Sequence, residues 1–356
     1  MVFPSRGRRF DVNLSIVDLA PIPENGSATE AFENTVERAK HAEQLGYDRF
    51  WVAEHHDFTS RLASTTPEVL ISHIASKTDD IRVGSGTVLL NHYSPYKVAE
   101  TFSTLDALAP GRIDCGLGRA NGSPLADFAL QADRSRQRRG ANDHEEKIHE
   151  VAAHLHDGFP DDHQFGQLDV PRAADTTPEI WVLGSSPSSA AIAGELGLPY
   201  CFAAFIRPGP AIEAFETYRE RFEPSEFDAG PENPRGMLAA NVTCAPTDEE
   251  AARRRAVPEA SRQRLQRGDV DAPPIRSAEE AIEELGEVPD PTPTDLEPGE
   301  WPRAVSGSPE TMREILGTMT EQVGVEEVVI QNQIADPDHV LESHELLADA
   351  FELEPR

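Results

Sequence analysis

The sequence predicts an α/β fold, a (β/α)8 TIM barrel with two excursions. Apolar runs of strand length alternate with amphipathic runs of helix length from end to end, and about eight such units can be counted. Glycine or proline stands at many of the junctions. Alternation of this kind lays parallel strands side by side under a coat of helices. Since α/β barrels routinely exceed 200 residues as one domain, a single domain over 1–356 accounts for the length.

The first unit is a strand over 11–19 and a helix over 29–45, where Ala31, Phe32, Val36, Ala39, Ala42 and Leu45 recur at helical spacing before Gly46 stops the run. A strand over 49–53 and a helix over 67–77 with proline in its first turn follow. Next comes a strand over 81–90, interrupted by Gly84 and Gly86. Pro95 opens another helix, and the Pro110-Gly111 turn leads into a strand over 113–117. Strands over 180–183, 200–205, 237–244 and 328–330 complete the set of eight. Segments 158–178 and 268–302 break the rhythm. The second is proline-rich and acidic, carries a helical piece over 277–285, and is too long for a plain connection, so it is expected to be a lid or a partly disordered insertion.

Composition narrows the function. With 63 Asp and Glu against 32 Lys and Arg, the net charge of −31 repels nucleic acid and anionic membranes. Lysine is nearly absent while arginine is plentiful, the surface chemistry of a high-salt cytoplasm, and salt-dependent stability is expected because ~1 M salt shortens the Debye length to ~3 Å. No apolar run reaches the ~18 residues of a membrane span, and the charged start of the chain has no apolar stretch behind it, so a cytoplasmic location is expected. Cys115, Cys201 and Cys244 lie apart in strand-like stretches, as small core residues rather than a disulfide framework or zinc site.

Four segments carry chemistry. Trp51-Val-Ala-Glu-His-His56 ends the second strand, where barrel active sites are built. Alternation sends Glu54 and His56 one way and His55 the other, an order that does not put metal ligands on one face; His73 and His92 would have to be recruited from elsewhere. In Val83-Gly-Ser-Gly-Thr-Val-Leu-Leu90, continued by Asn91-His-Tyr-Ser-Pro95, the glycines mark either a corner bend or a place where a flat ligand presses on backbone. Arg119 follows the strand of Pro110-Gly-Arg-Ile-Asp-Cys-Gly-Leu-Gly-Arg119, facing the barrel mouth as an anion holder or as a salt-bridge partner for one of the many acids. Gly184, Ser185, Ser186, Ser188 and Ser189 open a helix after a strand. Free N–H groups, hydroxyls and the helix dipole there suit a phosphate, and four serines exceed what capping needs.

Together these segments, with Glu342-Ser-His-Glu-Leu-Leu-Ala-Asp-Ala-Phe351, resemble the bacterial luciferase-like family of flavin-dependent oxidoreductases over nearly the whole chain. The resemblance implies that His55 lies beside the flavin, that Gly86 and Thr87 form a cis peptide under the isoalloxazine ring, that Arg119 holds the flavin phosphate, and that Ser185, Ser186, Ser188 and Ser189 form the phosphate loop. The luciferase α chain carries a glutamate where this chain has Gly184, which argues against light emission itself. The implied function is an FMN-dependent monooxygenase that acts on a small organic substrate with O2. Reduced FMN would come from a separate reductase, since the glycine pairs lack the context of a dinucleotide site. Two alternatives stand beside it: hydride transfer with coenzyme F420 on the same barrel, and a non-catalytic flavin-binding subunit. A homodimer through helices near the second and third strands is also implied.

Overall fold

In chain order the strands are β1 (Asn13–Asp18), β2 (Arg49–Val52), β3 (Arg82–Ser85), β4 (Val88–Leu89), β5 (Ile113–Gly118), β6 (Glu179–Gly184), β7 (Tyr200–Ala203), β8 (Gly236–Cys244), β9 (Ala304–Gly307) and β10 (Glu327–Gln331). All pairings between them are parallel; β1, β2, β3, β5, β6, β7, β8 and β10 follow one another, and β10 returns to β1 to close an eight-stave barrel. The computed structural model describes residues 12–23, 25–58, 61–119, 124–130, 143–173, 175–269 and 272–356. Asp11, expected to start the first strand, lies outside them.

The eight staves coincide with the eight strands expected from sequence. Two details differ. The run over 81–90 is broken at Gly86, after which β4 re-pairs with β5 through Val88 and Leu117. The four-residue β9, which sequence analysis did not find, extends the edge of β8 from Asn241 to Cys244.

The helices are α1 (Ala28–Leu45), α2 (Pro67–Ala75), α3 (Pro95–Leu108), α4 (Pro124–Leu130), α5 (His144–Leu155), α6 (Pro187–Glu195), α7 (Ala211–Arg221), α8 (Asp248–Arg267), α9 (Ala278–Leu285), α10 (Pro309–Val323) and α11 (Pro337–Ala350). Their ends follow local chemistry. A capping box starts α1: Ser27 Oγ accepts the Glu30 N–H while the Glu30 carboxylate accepts the Ser27 N–H at 2.8 Å. Gly46 ends it at φ +89°, where a Cβ would lie 2.2 Å from the Glu354 carbonyl oxygen. None of the described helices is long and apolar enough to cross a membrane.

Strand alternation divides the side chains cleanly. Leu14, Ile16, Phe50, Val83, Ile113, Ile180, Phe202, Leu238 and Val328 point outward into the main core beneath the helices. The opposite faces fill the barrel in levels. At the N-terminal base Arg49 meets Asp114 at 2.8 Å, Glu179 at 2.9 Å and Glu327 at 3.0 Å, while Arg82 reaches Asp114 and Arg235 reaches Glu179, both at 2.5 Å. Above them Trp51 and Trp181 pack edge to face at 5.8 Å, each indole N–H donating downward, to Asp114 and to Glu179. Near the mouth the inward residues include the small or amide-bearing Ala53, Gly86, Gly118, Ala203, Ala239, Asn241 and Gln331, with Leu19, Leu183 and Phe205 packed beside them. The barrel is therefore plugged below and shallow above.

The two excursions are packed against this frame. Segment 158–178 runs over α3 and α5, with Tyr96 Oη donating to the Asp169 carbonyl at 2.9 Å and Thr176 Oγ1 to Asp106 at 2.7 Å. In 268–302, α9 lies on α8, burying Ile275 and Ala281 against Ala256, Val257 and Ala260; the Arg264 guanidinium clasps the Glu284 carboxylate. Leu296 and Trp301 are buried, and Trp301 Nε1 donates to Gln322 at 2.8 Å. The three cysteines are buried free thiols.

Candidate active site

The C-terminal ends of the staves surround the shallow floor. Val52 ends β2, and the chain turns out of the barrel through Glu54, His55 and His56. Glu54 is buried and acts as a three-way anchor: it accepts the Leu89 N–H at 2.8 Å and the Tyr93 hydroxyl at 2.6 Å, and lies 2.5 Å from His56 Nε2. Burial and the Glu54 carboxylate push the Tyr93 phenol far above its usual pKa. Glu54 and His56 meet, as alternation expects, while His55 turns elsewhere. Its backbone N–H donates to the Ser64 carbonyl at 2.9 Å, its ring stands edge-on to Phe58, and its Nδ1 is buried without a partner. Burial, and then the neighbouring His56, hold the His55 pKa below the ordinary imidazole value, so the ring is neutral at pH 7.

Beside this loop the Gly86–Thr87 peptide, between β3 and β4, is cis. The positions around it exclude side chains. A Cβ on Gly86 would lie 2.9 Å from Val17 Cγ2 and 3.3 Å from Trp51 Cβ, and one on Gly118 would lie 2.7 Å from Thr87 Oγ1. Of the two meanings left open by the glycines, the structure shows the bend, with Val17, Trp51 and Thr87 packed into the space that side chains at Gly86 and Gly118 would need.

Arg119 follows Gly118 at the end of β5, next to the end of β6 through the Leu117–Val182 pairing. Its side chain is exposed and has no hydrogen bond or ion pair among the described residues. The four serines divide. Ser186 caps α6 by accepting the Ser189 N–H, and Ser189 Oγ donates to the Ser186 carbonyl at 2.8 Å and lies 3.1 Å from the Tyr200 hydroxyl. Capping thus accounts for two of them, leaving Ser185 and Ser188 without side-chain partners among the described residues. Gly184 is required by this packing, since a Cβ there would fall 2.1 Å from Ser189 Oγ.

Sequence reasoning missed two neighbours. His144, at the start of α5, is buried with Nδ1 unpartnered, and burial, then Arg119 and Lys147, lower its pKa to about 4. Asp127 of α4 stands 3.4 Å from His92 Nε2. Both come from the long connection after β5, whose lack of periodicity gave no signal. His73 is elsewhere, on the outer groove between α2 and α3. Among the described residues no three His, Cys, Asp or Glu side chains are grouped to hold a metal.

Residues 12–333 match the family model described as luciferase-like monooxygenase. A luciferase-like monooxygenase of Escherichia coli K12 is 34% identical over 349 residues, 96% of this chain and 97% of that one. N-acetyl-S-alkylcysteine monooxygenase of Bacillus subtilis is 40% identical over 246 residues, 67% of this chain and 70% of that one. Among solved structures, apo-MsnO8 is 41% identical with a TM-score of 0.85, covering 97% of this chain and 100% of that chain. The oxygenating constituent of 3,6-diketocamphane monooxygenase in complex with FMN, at 22% identity and a TM-score of 0.66, and an F420-dependent secondary alcohol dehydrogenase, at 16% and 0.61, share the fold.

Proposed function

The chain belongs to the luciferase-like monooxygenase family, and from that premise we propose that it binds FMN across the barrel mouth and, with reduced flavin and O2, places one oxygen atom on a small organic substrate. The observation that carries the reading is the buried, unpartnered Nδ1 of His55 at the mouth beside the cis Gly86–Thr87 peptide. Arg119, Ser185 and Ser188 are the free groups for a phosphate, and Ser186, Ser189 and Gly184 fix the turn that presents them. When bound, reduced flavin supplies the electrons that activate O2. The protein's part is to position, to exclude water and to handle a proton: neutral His55 accepts one at Nδ1, with Glu54 holding the adjacent loop.

Absorbance titrations with FMN and with F420 in KCl test this directly. FMN binding, together with O2-dependent turnover when a separate flavin reductase supplies reduced FMN, is expected; preference for F420 would make the site a hydride-transfer site. His55→Asn is expected to abolish turnover with FMN binding intact, and unchanged turnover would remove its role.

The remaining features fit a cytoplasmic, salt-adapted homodimer. The groove between α2 and α3 exposes Val69 and Leu108 and supports the dimer, read by sedimentation. The net charge of −31 supports a melting temperature that rises in molar KCl. Segment 268–302, whose ends approach the mouth where Arg61 donates to the Ala272 carbonyl and Pro302 lines a cavity, is read as the lid.

A further inference from the structure

A cavity of about 260 Å³ opens at the mouth between α8 and the ends of β8 and β10, lined by Phe205, Asn241, Arg262, Leu265, Arg303 and Gln331. Its floor is the top of the barrel interior, since Asn241 and Gln331 continue the inward faces that hold Ala239 and Val329 below them. It lies across the ring from β3 and β5, beside which the cis Gly86–Thr87 peptide sits.

Arginine usage marks this cavity. In a chain with 63 acids to 32 basic residues, arginines readily find partners, yet neither Arg262 nor Arg303 has a hydrogen bond or ion pair among the described residues. Glu259 also faces the cavity, but Arg255 holds it at 3.0 Å. Asn241 is 4% exposed; its Nδ2 donates to Gln331 at 3.2 Å, and its Oδ1 is buried with no partner. A buried acceptor left empty is costly, so a ligand that donates to it recovers that cost. Phe205 and Leu265 supply an apolar wall.

We propose that this cavity receives the charged end of the substrate, a small organic carboxylate held by Arg262 and Arg303, with a neighbouring hydroxyl or N–H donating to Asn241. Planar guanidinium groups match a carboxylate in geometry as well as in charge. The volume falls just under the ~300–1,000 Å³ of whole small-molecule sites, as suits a pocket that takes one end of a molecule whose reactive part lies over the mouth. The assignment rests on the mouth being the monooxygenase site, but its test does not depend on turnover.

The probes are 2-hydroxyhexanoate, hexanoate and neutral hexane-1,2-diol, titrated calorimetrically into the chain with and without FMN at 0.15 M salt. Expected is binding of 2-hydroxyhexanoate, at least tenfold weaker in Arg262→Gln and in Arg303→Gln, with FMN affinity unchanged in both. Asn241→Leu is expected to weaken 2-hydroxyhexanoate more than hexanoate. No carboxylate binding, equal binding of the diol, or carboxylate binding indifferent to both arginines would overturn the proposal. So would loss of FMN rather than carboxylate in the variants, which would give these arginines to the cofactor. Arginine-dependent carboxylate binding in a chain that does not take FMN would leave this pocket standing and the flavin reading fallen.

Discussion

Replacing Glu54 tests whether one carboxylate holds the loop after β2 together. Glu54→Ala leaves the Leu89 N–H, the Tyr93 hydroxyl and His56 Nε2 without the acceptor that now lies 2.5 to 2.8 Å away. An unsatisfied buried donor costs about 1–3 kcal/mol. All three donors are partly buried and recover some of that cost from solvent, for a total of about 3–5 kcal/mol. Glu54→Gln keeps an oxygen for the Leu89 N–H but turns an NH2 toward Tyr93 and His56, which can accept from it in place of donating, so the charge is lost while each group keeps a partner. A charged acceptor is worth roughly twice a neutral one, so that variant loses about 2 kcal/mol. Urea unfolding, followed by tryptophan fluorescence with the buried Trp51 and Trp181 as reporters, measures both. The Tyr93 phenol is also expected to ionise at lower pH in either variant, because the carboxylate that opposes its ionisation is gone. An alanine variant within 0.5 kcal/mol of wild type, or a glutamine variant as unstable as the alanine one, would refute the anchoring argument.

Three further outcomes follow from the structure. Buried His344, held near a pKa of about 3, and His144, near 4, titrate at 6.5 once unfolded; the unfolded chain therefore binds more protons below pH 6.5, so stability is full above that pH and falls as pH drops, by about 2 kcal/mol per histidine at pH 5. Urea midpoints against pH report this, and His344→Gln, which keeps a donor toward Asn332, should flatten the slope; an unchanged slope counts against it. Gly116→Ala puts a methyl 1.9 Å from the Ser85 carbonyl oxygen and should yield no folded protein, whereas Gly268→Ala, with nothing within 4 Å and φ +82°, should cost only about 1–2 kcal/mol; equal circular dichroism melts would contradict the packing. Trp301→Ala removes a buried indole and its bond to Gln322, so a loss of about 3–5 kcal/mol and faster proteolysis within 268–302 are expected; protease resistance like wild type would show that segment to be held otherwise.

The staves were legible because each is a dense apolar run with few competing signals, and parallel strands buried on both faces leave that signature. The reading fails where a second influence intervenes. β9 is four residues long and pairs only with the far end of β8, too short for periodicity. α8 is arginine-rich and contains Pro258, so it lacks an apolar stripe, although Thr247 caps it. In the site, His55, Gly86 and Arg119 stood out because their residue types are unusual at strand ends. Which serines cap and which remain free was not legible, since it depends on Tyr200 reaching Ser189 from the next strand. Glu54 was visible as a residue but not as an anchor, because Leu89 and Tyr93 approach it from 35 and 39 positions away.

The base of the barrel decides how molecules come and go. Asp114 is wholly enclosed, Arg49 and Glu327 are nearly so, and the two indoles above them are sealed from solvent. Three positive and three negative side chains lock together there, leaving no net charge to draw in an ion and no gap for a solute. With the base closed in this way, molecules reach the interior from the opposite end, where Pro302 and Arg303 border the rim. Entry and exit are therefore ordered by what occupies that rim, and mutations that reshape it can change the choice of substrate while the foundation below stays untouched.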